Sequence, residues 1–189
     1  GPRLAHGRAL TQTLGGGVLL GCGLFLSYGL VLLAPLGLVV VRKRLLGWAL
    51  AGVAAVVVAF AVGGFWWWDG YQQVQIRYWS GIAALRPYWY WIWANIAALI
   101  LCTGPAVAPI LRRAASAWRT NLIVLAAVLA IAAADLSGLS LAETERIWLP
   151  FAVWTCAAAG LLPPETRRGW LVAQAATALI VNHLLLTTW

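Results

Sequence analysis

Six runs of almost uninterrupted apolar residues fix most of what this chain can become. They cover approximately residues 15–41, 46–66, 88–111, 120–137, 147–163 and 170–188. A helix needs roughly 20 residues to cross about 30 Å of hydrocarbon, and each run meets or approaches that length. The 189 residues are 63% hydrophobic and only 10% charged, too little polar surface to cover a globule in water. The reading is all-α: a polytopic integral membrane helix bundle of about six transmembrane helices, forming a single transmembrane domain over residues 1–189.

The runs differ in quality. The first holds Gly15, Gly16, Gly17, Gly21, Gly23, Gly29 and Pro35. It is expected to be tilted or broken and closely packed, with Gly17 and Gly21 at small-xxx-small spacing. The fourth is short and is interrupted by Asp135. Cys22, Cys102 and Cys156 each fall inside an apolar run, so they read as small core residues rather than a disulfide framework.

Charge orients the runs. Arg42, Lys43 and Arg44, then Arg112, Arg113 and Arg119, then Arg167 and Arg168 share one side if each run crosses once. Arg3, Arg8, Arg77, Arg86 and Arg146 fall on the other, with Asp69, Asp135, Glu143 and Glu145; Glu165 alone joins the basic side. An excess of Lys and Arg marks cytoplasmic loops, so both termini are expected outside. Topology thus accounts for the net charge of +8, and no nucleic-acid partner is expected. The chain opens Gly-Pro without Met, and no signal-peptide pattern precedes the first run. It reads as the C-terminal part of a longer protein, a tag scar being the other explanation of the first two residues.

Residues 66–88 form an amphipathic outer loop. Tyr71, Val74, Tyr78 and Ile82 repeat at helical spacing opposite Gln72, Gln73 and Arg77. A short interfacial helix after a turn at Asp69 and Gly70 is expected. Trp66, Trp67, Trp68, Trp79, Trp89, Trp91 and Trp93 form a belt at the same face. The belt either anchors the protein or serves as an aromatic wall that guides a lipid or stacks a sugar.

The densest charge lies in ADLSGLSLAETERIWLPF, residues 134–151, which holds Asp135, Glu143, Glu145 and Arg146. A charge at mid-bilayer costs about 2.5–3.5 kcal/mol on insertion scales, so these groups belong at the outer interface or in a wet cavity. Ser140 and Glu143 are spaced as a capping box, predicting a helix from Leu141 on which Glu143 and Arg146 pair. Pro150 then breaks the ladder just inside the membrane. Arg146 stands at the mouth of the fifth run, where a guanidinium suits bidentate phosphate binding. Asp135 and Glu145 would orient it or contact sugar hydroxyls. The plain alternative is a capped helix with a surface ion pair worth little. Asn95, Asn182 and His183 more often bond another helix than perform chemistry. There is no HExxH, Cys/His cluster or P-loop, so no metal and no cofactor is expected.

Two stretches resemble the glycosyltransferase-C superfamily of membrane enzymes. GGGVLLGCGLFLSYGLVLLAPLGLVVVRKR, residues 15–44, is similar to its glycine-rich helix; Ser27, Tyr28 and Gly29 stand where many members have a Thr-Lys step. ERIWLPF, residues 145–151, looks like its Arg-aromatic-x-x-Pro signature, with Ile147 replacing the aromatic while Arg146 and Pro150 keep their places. FWWWDGY, RPYWYWIWANIAAL, GPAVA, DLSGLS and ERIWLPF in this order resemble, over nearly the whole chain, integral membrane proteins of high-GC bacteria, some named methylthioxylose transferase. The resemblance implies sugar transfer from a polyprenyl-phosphate donor at the outer face of the plasma membrane. In the superfamily the catalytic carboxylate lies in a first outer loop that nothing here matches. The chain would then be a C-terminal half, inactive alone, whose partners are membrane lipid, the polyprenyl-phosphate sugar donor and its own missing N-terminal half. Arg146 carries over as the phosphate ligand. Asp135, Glu143, Glu145, Arg77, Arg86 and His183 are supporting candidates on the same side. The alternative is a non-catalytic membrane transport or scaffold component. Spans that are apolar at mid-depth count against transport.

Overall fold

The computed structural model describes residues 2–184, excepting the side chains of residues 2–6 and of Glu145. Among the described residues every regular element is helical and no strand forms. The chain divides into two compact units, Gly1–Ala84 and Leu85–Trp189.

The first unit opens on α1 (Pro2–Leu26). Ser27 ends it in an extended conformation, φ −153° and ψ 123°. A 3₁₀ helix, Tyr28–Leu33, then runs into α2 (Ala34–Val40), with Pro35 in the first turn, where its missing N–H leaves no bond unmade. Gly23 faces the Leu30 side chain, so the chain folds back on itself around Ser27. Val41 and Arg42 are extended, Lys43–Leu45 makes a short 3₁₀ turn, and α3 (Leu46–Val62) follows. Thus the first apolar run is broken, and α1 and α3 are the partners. A Cβ on Gly17 would overlap the Ala49 carbonyl, one on Gly52 would overlap the Leu14 carbonyl, and one on Gly21 would crowd Val56. Farther along, Phe25 stacks on Phe60 with ring centroids 4.0 Å apart. These contacts climb both helices in the same sequence direction, so α1 and α3 run parallel.

Beyond Gly63 and Gly64 lies α4 (Trp67–Trp79). The expected turn at Asp69 and Gly70 is instead helix, begun at an extended Trp66. The Trp67 indole N–H donates to the Leu24 carbonyl at 2.9 Å and its ring stacks on Tyr71. A Cβ at position 70 would overlap the Tyr28 hydroxyl and the tip of the Phe65 ring, so any side chain there must displace them. Trp68, Ile76 and Trp79 point outward, as do Asp69, Gln73 and Arg77. Ile82 lies past the helix in a 3₁₀ turn, Ile82–Leu85, and is exposed.

In the second unit α5 (Tyr88–Thr103) stops at Gly104, whose φ of 76° an L side chain resists. Pro105 follows, and α6 (Val107–Ser116) leaves with a bend of 100°. A 3₁₀ turn, Trp118–Thr120, leads to α7 (Leu122–Leu136). After an irregular stretch come α8 (Thr144–Ile147) and α9 (Leu149–Thr155), which continues as 3₁₀ over Cys156–Leu161. The last of the described helices is α10 (Pro164–Leu184). Ala126, Ala127, Ala130, Ile131 and Ala134 make one buried stripe on α7, and Phe151, Ala152 and Thr155 of α9 are buried with α7 as neighbour. A second core joins Ala106, Ile110 and Ala114 to Val124, Ala158 and Leu162. Arg167 closes the 3₁₀ segment by donating to the Leu162 and Gly160 carbonyls at 2.8 and 2.9 Å.

Among the described residues two helices, Gly7–Leu26 and Lys43–Val62, are long and apolar enough to cross a membrane, or up to three if the bent pair of α5 and α6 is one span. The other runs depart from single straight spans for local reasons. The third turns at Gly104, the fourth yields a 15-residue α7, and the fifth breaks at Trp148 and Pro150. The sixth run's end at 185–188 lies outside the described residues. Large apolar side chains on the outward faces, among them Leu19, Val62, Leu171 and Leu179, are consistent with a hydrocarbon surround.

Candidate functional site

The charge-dense segment at 134–151 folds as a pinned loop. At the end of α7, Gly138 adopts φ 67° and its N–H donates to the Asp135 carbonyl at 3.1 Å. The Tyr88 ring packs on Gly138 while its hydroxyl donates to the Leu136 carbonyl at 3.3 Å. Ser140 Oγ donates to the Ala134 carbonyl and accepts the Trp148 indole N–H at 2.9 Å. Leu141 is fully buried, and its carbonyl accepts from the Arg86 guanidinium. Ala142 sits at φ 62°, rare for a residue with a Cβ, and its N–H donates to Asn95 Oδ1 at 3.2 Å. Asn95 in turn donates through Nδ2 to Asp135 Oδ1 at 3.0 Å.

This arrangement differs from the expected capping box. The helix begins at Thr144, not Leu141, and Glu143 occupies its N-cap without a side-chain cap bond. Ala142 takes a left-handed backbone, φ 62°, which stops a helix from starting at Leu141, and the Ser140 hydroxyl serves the buried Trp148 indole N–H instead.

Each predicted residue then has a definite place. Arg146 is exposed on α8, and among the described residues no carboxylate, Glu143 included, pairs with it. Glu143 is half-buried, and the Glu145 side chain lies outside the described residues. Asp135 is 5% exposed and is held by Asn95. Arg86 is half-buried, with its guanidinium 5.6 Å from the Trp91 ring centroid as well as on the Leu141 carbonyl. Arg77 is exposed on α4 in the first unit. His183 is exposed near the end of α10, its Nδ1 3.2 Å from Asn182 Nδ2. Among the described residues no group of three His, Cys, Asp or Glu side chains could hold a metal. A cavity of about 330 Å³ lies elsewhere, lined by Leu101, Thr103, Leu171, Gln174 and Thr177, and none of these candidates borders it.

Ser140, Thr144 and Trp148 were not singled out as site residues from sequence, yet with Asn95 they are the buried polar frame of this loop. The Thr144 hydroxyl is buried with no hydrogen-bond partner among the described residues. Chemically, the frame fixes a loop and leaves one guanidinium outside it. Asp135 is enclosed, so its carboxylate serves the frame, and the exposed group able to receive an anion is Arg146. Comparison with protein-family models, curated proteins and solved structures finds no match to this chain.

Proposed function

We propose that the chain is the membrane-embedded part of a glycosyltransferase that takes sugar from a polyprenyl-phosphate donor for cell-envelope glycan or glycolipid assembly. Arg146 holds the donor phosphate. One observation carries the reading: an exposed guanidinium without a carboxylate partner among the described residues, borne on a single helical turn between the buried Thr144 and Trp148. A turn buried on both sides of the cation keeps it in place at the surface. Negative charge that builds on the departing phosphate is then met by a donor already positioned, which is where electrostatic catalysis gains most.

The test is Arg146→Lys in the full-length protein, assayed with a polyprenyl-phosphate sugar. Lysine keeps the charge but loses the bidentate fork, so turnover should fall about tenfold while membrane expression is unchanged. Wild-type kinetics for this variant would discard the role. The competing reading, a non-catalytic transport or scaffold component, draws support from the enclosure of Asp135, whose carboxylate is held by Asn95 and closed off from solvent.

A further inference from the structure

We infer that the first unit crosses the membrane three times, and that Arg8 with Arg42, Lys43 and Arg44 forms one basic face against the anionic headgroups of the cytoplasmic leaflet. The inference rests on the membrane reading of the two long helices and is independent of any sugar-transfer activity.

The parallel packing of α1 and α3 carries it. Two helices that cross a membrane in the same direction must be joined by a segment that crosses back. The register runs from Gly17 at Ala49, through Gly21 at Val56, to Phe25 on Phe60. Continued toward the N-termini, that register brings Arg8 level with Arg42, Lys43 and Arg44. Both groups are exposed.

The joining segment has the reach. Six residues of 3₁₀ helix rise about 12 Å, at roughly 2 Å each. Seven residues of α2 rise about 10 Å. The extended Val41 and Arg42 add about 7 Å. Together these come close to the roughly 30 Å of the hydrocarbon core. The segment is apolar throughout Tyr28–Leu33 and Ala34–Val40, as a return crossing must be.

Charge then selects the leaflet. Arg8, Arg42, Lys43 and Arg44 fall at one end of the unit, with no Asp or Glu among them. The other end holds Asp69 and Arg77, which balance, and the outward Trp66, Trp68 and Trp79. A single crossing over 15–41 would have set Arg8 opposite Arg42, Lys43 and Arg44. The folded-back path gathers them, which sharpens the Lys/Arg bias that orients membrane proteins and attracts anionic lipid.

The experiment places single cysteines in the full-length protein after Cys22, Cys102 and Cys156 are changed to Ala. Gly7→Cys, Lys43→Cys and Gln73→Cys are compared; nothing lies within 4 Å of a Cβ at Gly7, and Lys43 and Gln73 are exposed. A membrane-impermeant maleimide is applied to inside-out and right-side-out vesicles, with labelling in SDS as the reference for total thiol. Gly7→Cys and Lys43→Cys should label in inside-out vesicles, and Gln73→Cys in right-side-out ones. Labelling of Gly7→Cys on the side opposite Lys43→Cys, or on neither side, overturns the triple crossing. Labelling of both from outside overturns the leaflet. A second arm changes Arg42, Lys43 and Arg44 together to Gln and should give mixed-sided labelling at Gly7→Cys; unchanged one-sided labelling overturns the role of the basic face. Release of the protein by alkaline carbonate would instead defeat the membrane reading itself, a distinct outcome.

Discussion

Asn95 holds three pieces of the second unit with one amide. Its Nδ2 binds Asp135 on α7 and its Oδ1 binds the Ala142 amide in the loop beyond. Removing the side chain orphans a buried carboxylate oxygen and a backbone donor, each costing about 1–3 kcal/mol. Asn95→Ala should therefore destabilise by roughly 2–6 kcal/mol, read as a lower thermal midpoint of the purified protein in detergent. Ala142→Gly should do the opposite, since a left-handed backbone costs an L-residue about 1–2 kcal/mol; a gain of up to about 1 kcal/mol in the same assay is the expected outcome. The sequence displayed each of these residues but not their pairing. Asn95 reads as a residue that bonds another helix, and it does, but nothing local names Asp135, forty positions on, as its partner. The capping box misled for a physical reason: its spacing assumes helical backbone from Leu141, and Ala142 instead takes the left-handed conformation that its bond to Asn95 accompanies.

At the scale of elements, glycine placement was legible and helix continuity was not. The Gly17 and Gly21 spacing announced a close helix contact, and the structure supplies Ala49, Gly52 and Val56 as the other side. Gly52→Ala would drive a methyl into the Leu14 carbonyl and against Val18, so a loss of about 1–3 kcal/mol is expected, measured by resistance to unfolding in SDS. Hydropathy averages cannot see a break that costs only one extended residue, as at Ser27, or one positive φ, as at Gly104. The bend at Gly104 also depends on a residue far away in sequence. Gln174 donates to the Thr103 carbonyl at 2.7 Å and accepts from the Ala106 N–H at 3.2 Å. These are the backbone groups that the break between α5 and α6 leaves without helical partners, and in lipid an unmade bond is expensive. Gln174→Leu should loosen the bend and expose the nearby amides to faster hydrogen exchange while α7 stays protected.

For the molecule as a whole, composition alone carried the membrane reading, because no arrangement of 63% apolar residues hides from water in a chain this short. The protein should remain in the pellet after an alkaline carbonate wash and dissolve only in detergent. The number and direction of crossings were less legible. Charge counts assign sides only when each apolar run crosses once, and the fold-back at Ser27 breaks that premise in the first run. The exposed arginine of the charge-dense segment was legible by residue type; its freedom from Glu143 was not, since that depends on where a single helical turn begins.

The clamp at Gly104 sets an order of events during synthesis. Gln174 lies on α10, while the backbone groups it serves emerge some seventy residues earlier. Until translation reaches it, the elbow between α5 and α6 must borrow water or translocon partners for its carbonyl and amide. The nascent elbow is thus held in an unfinished state until α10 arrives to seal it.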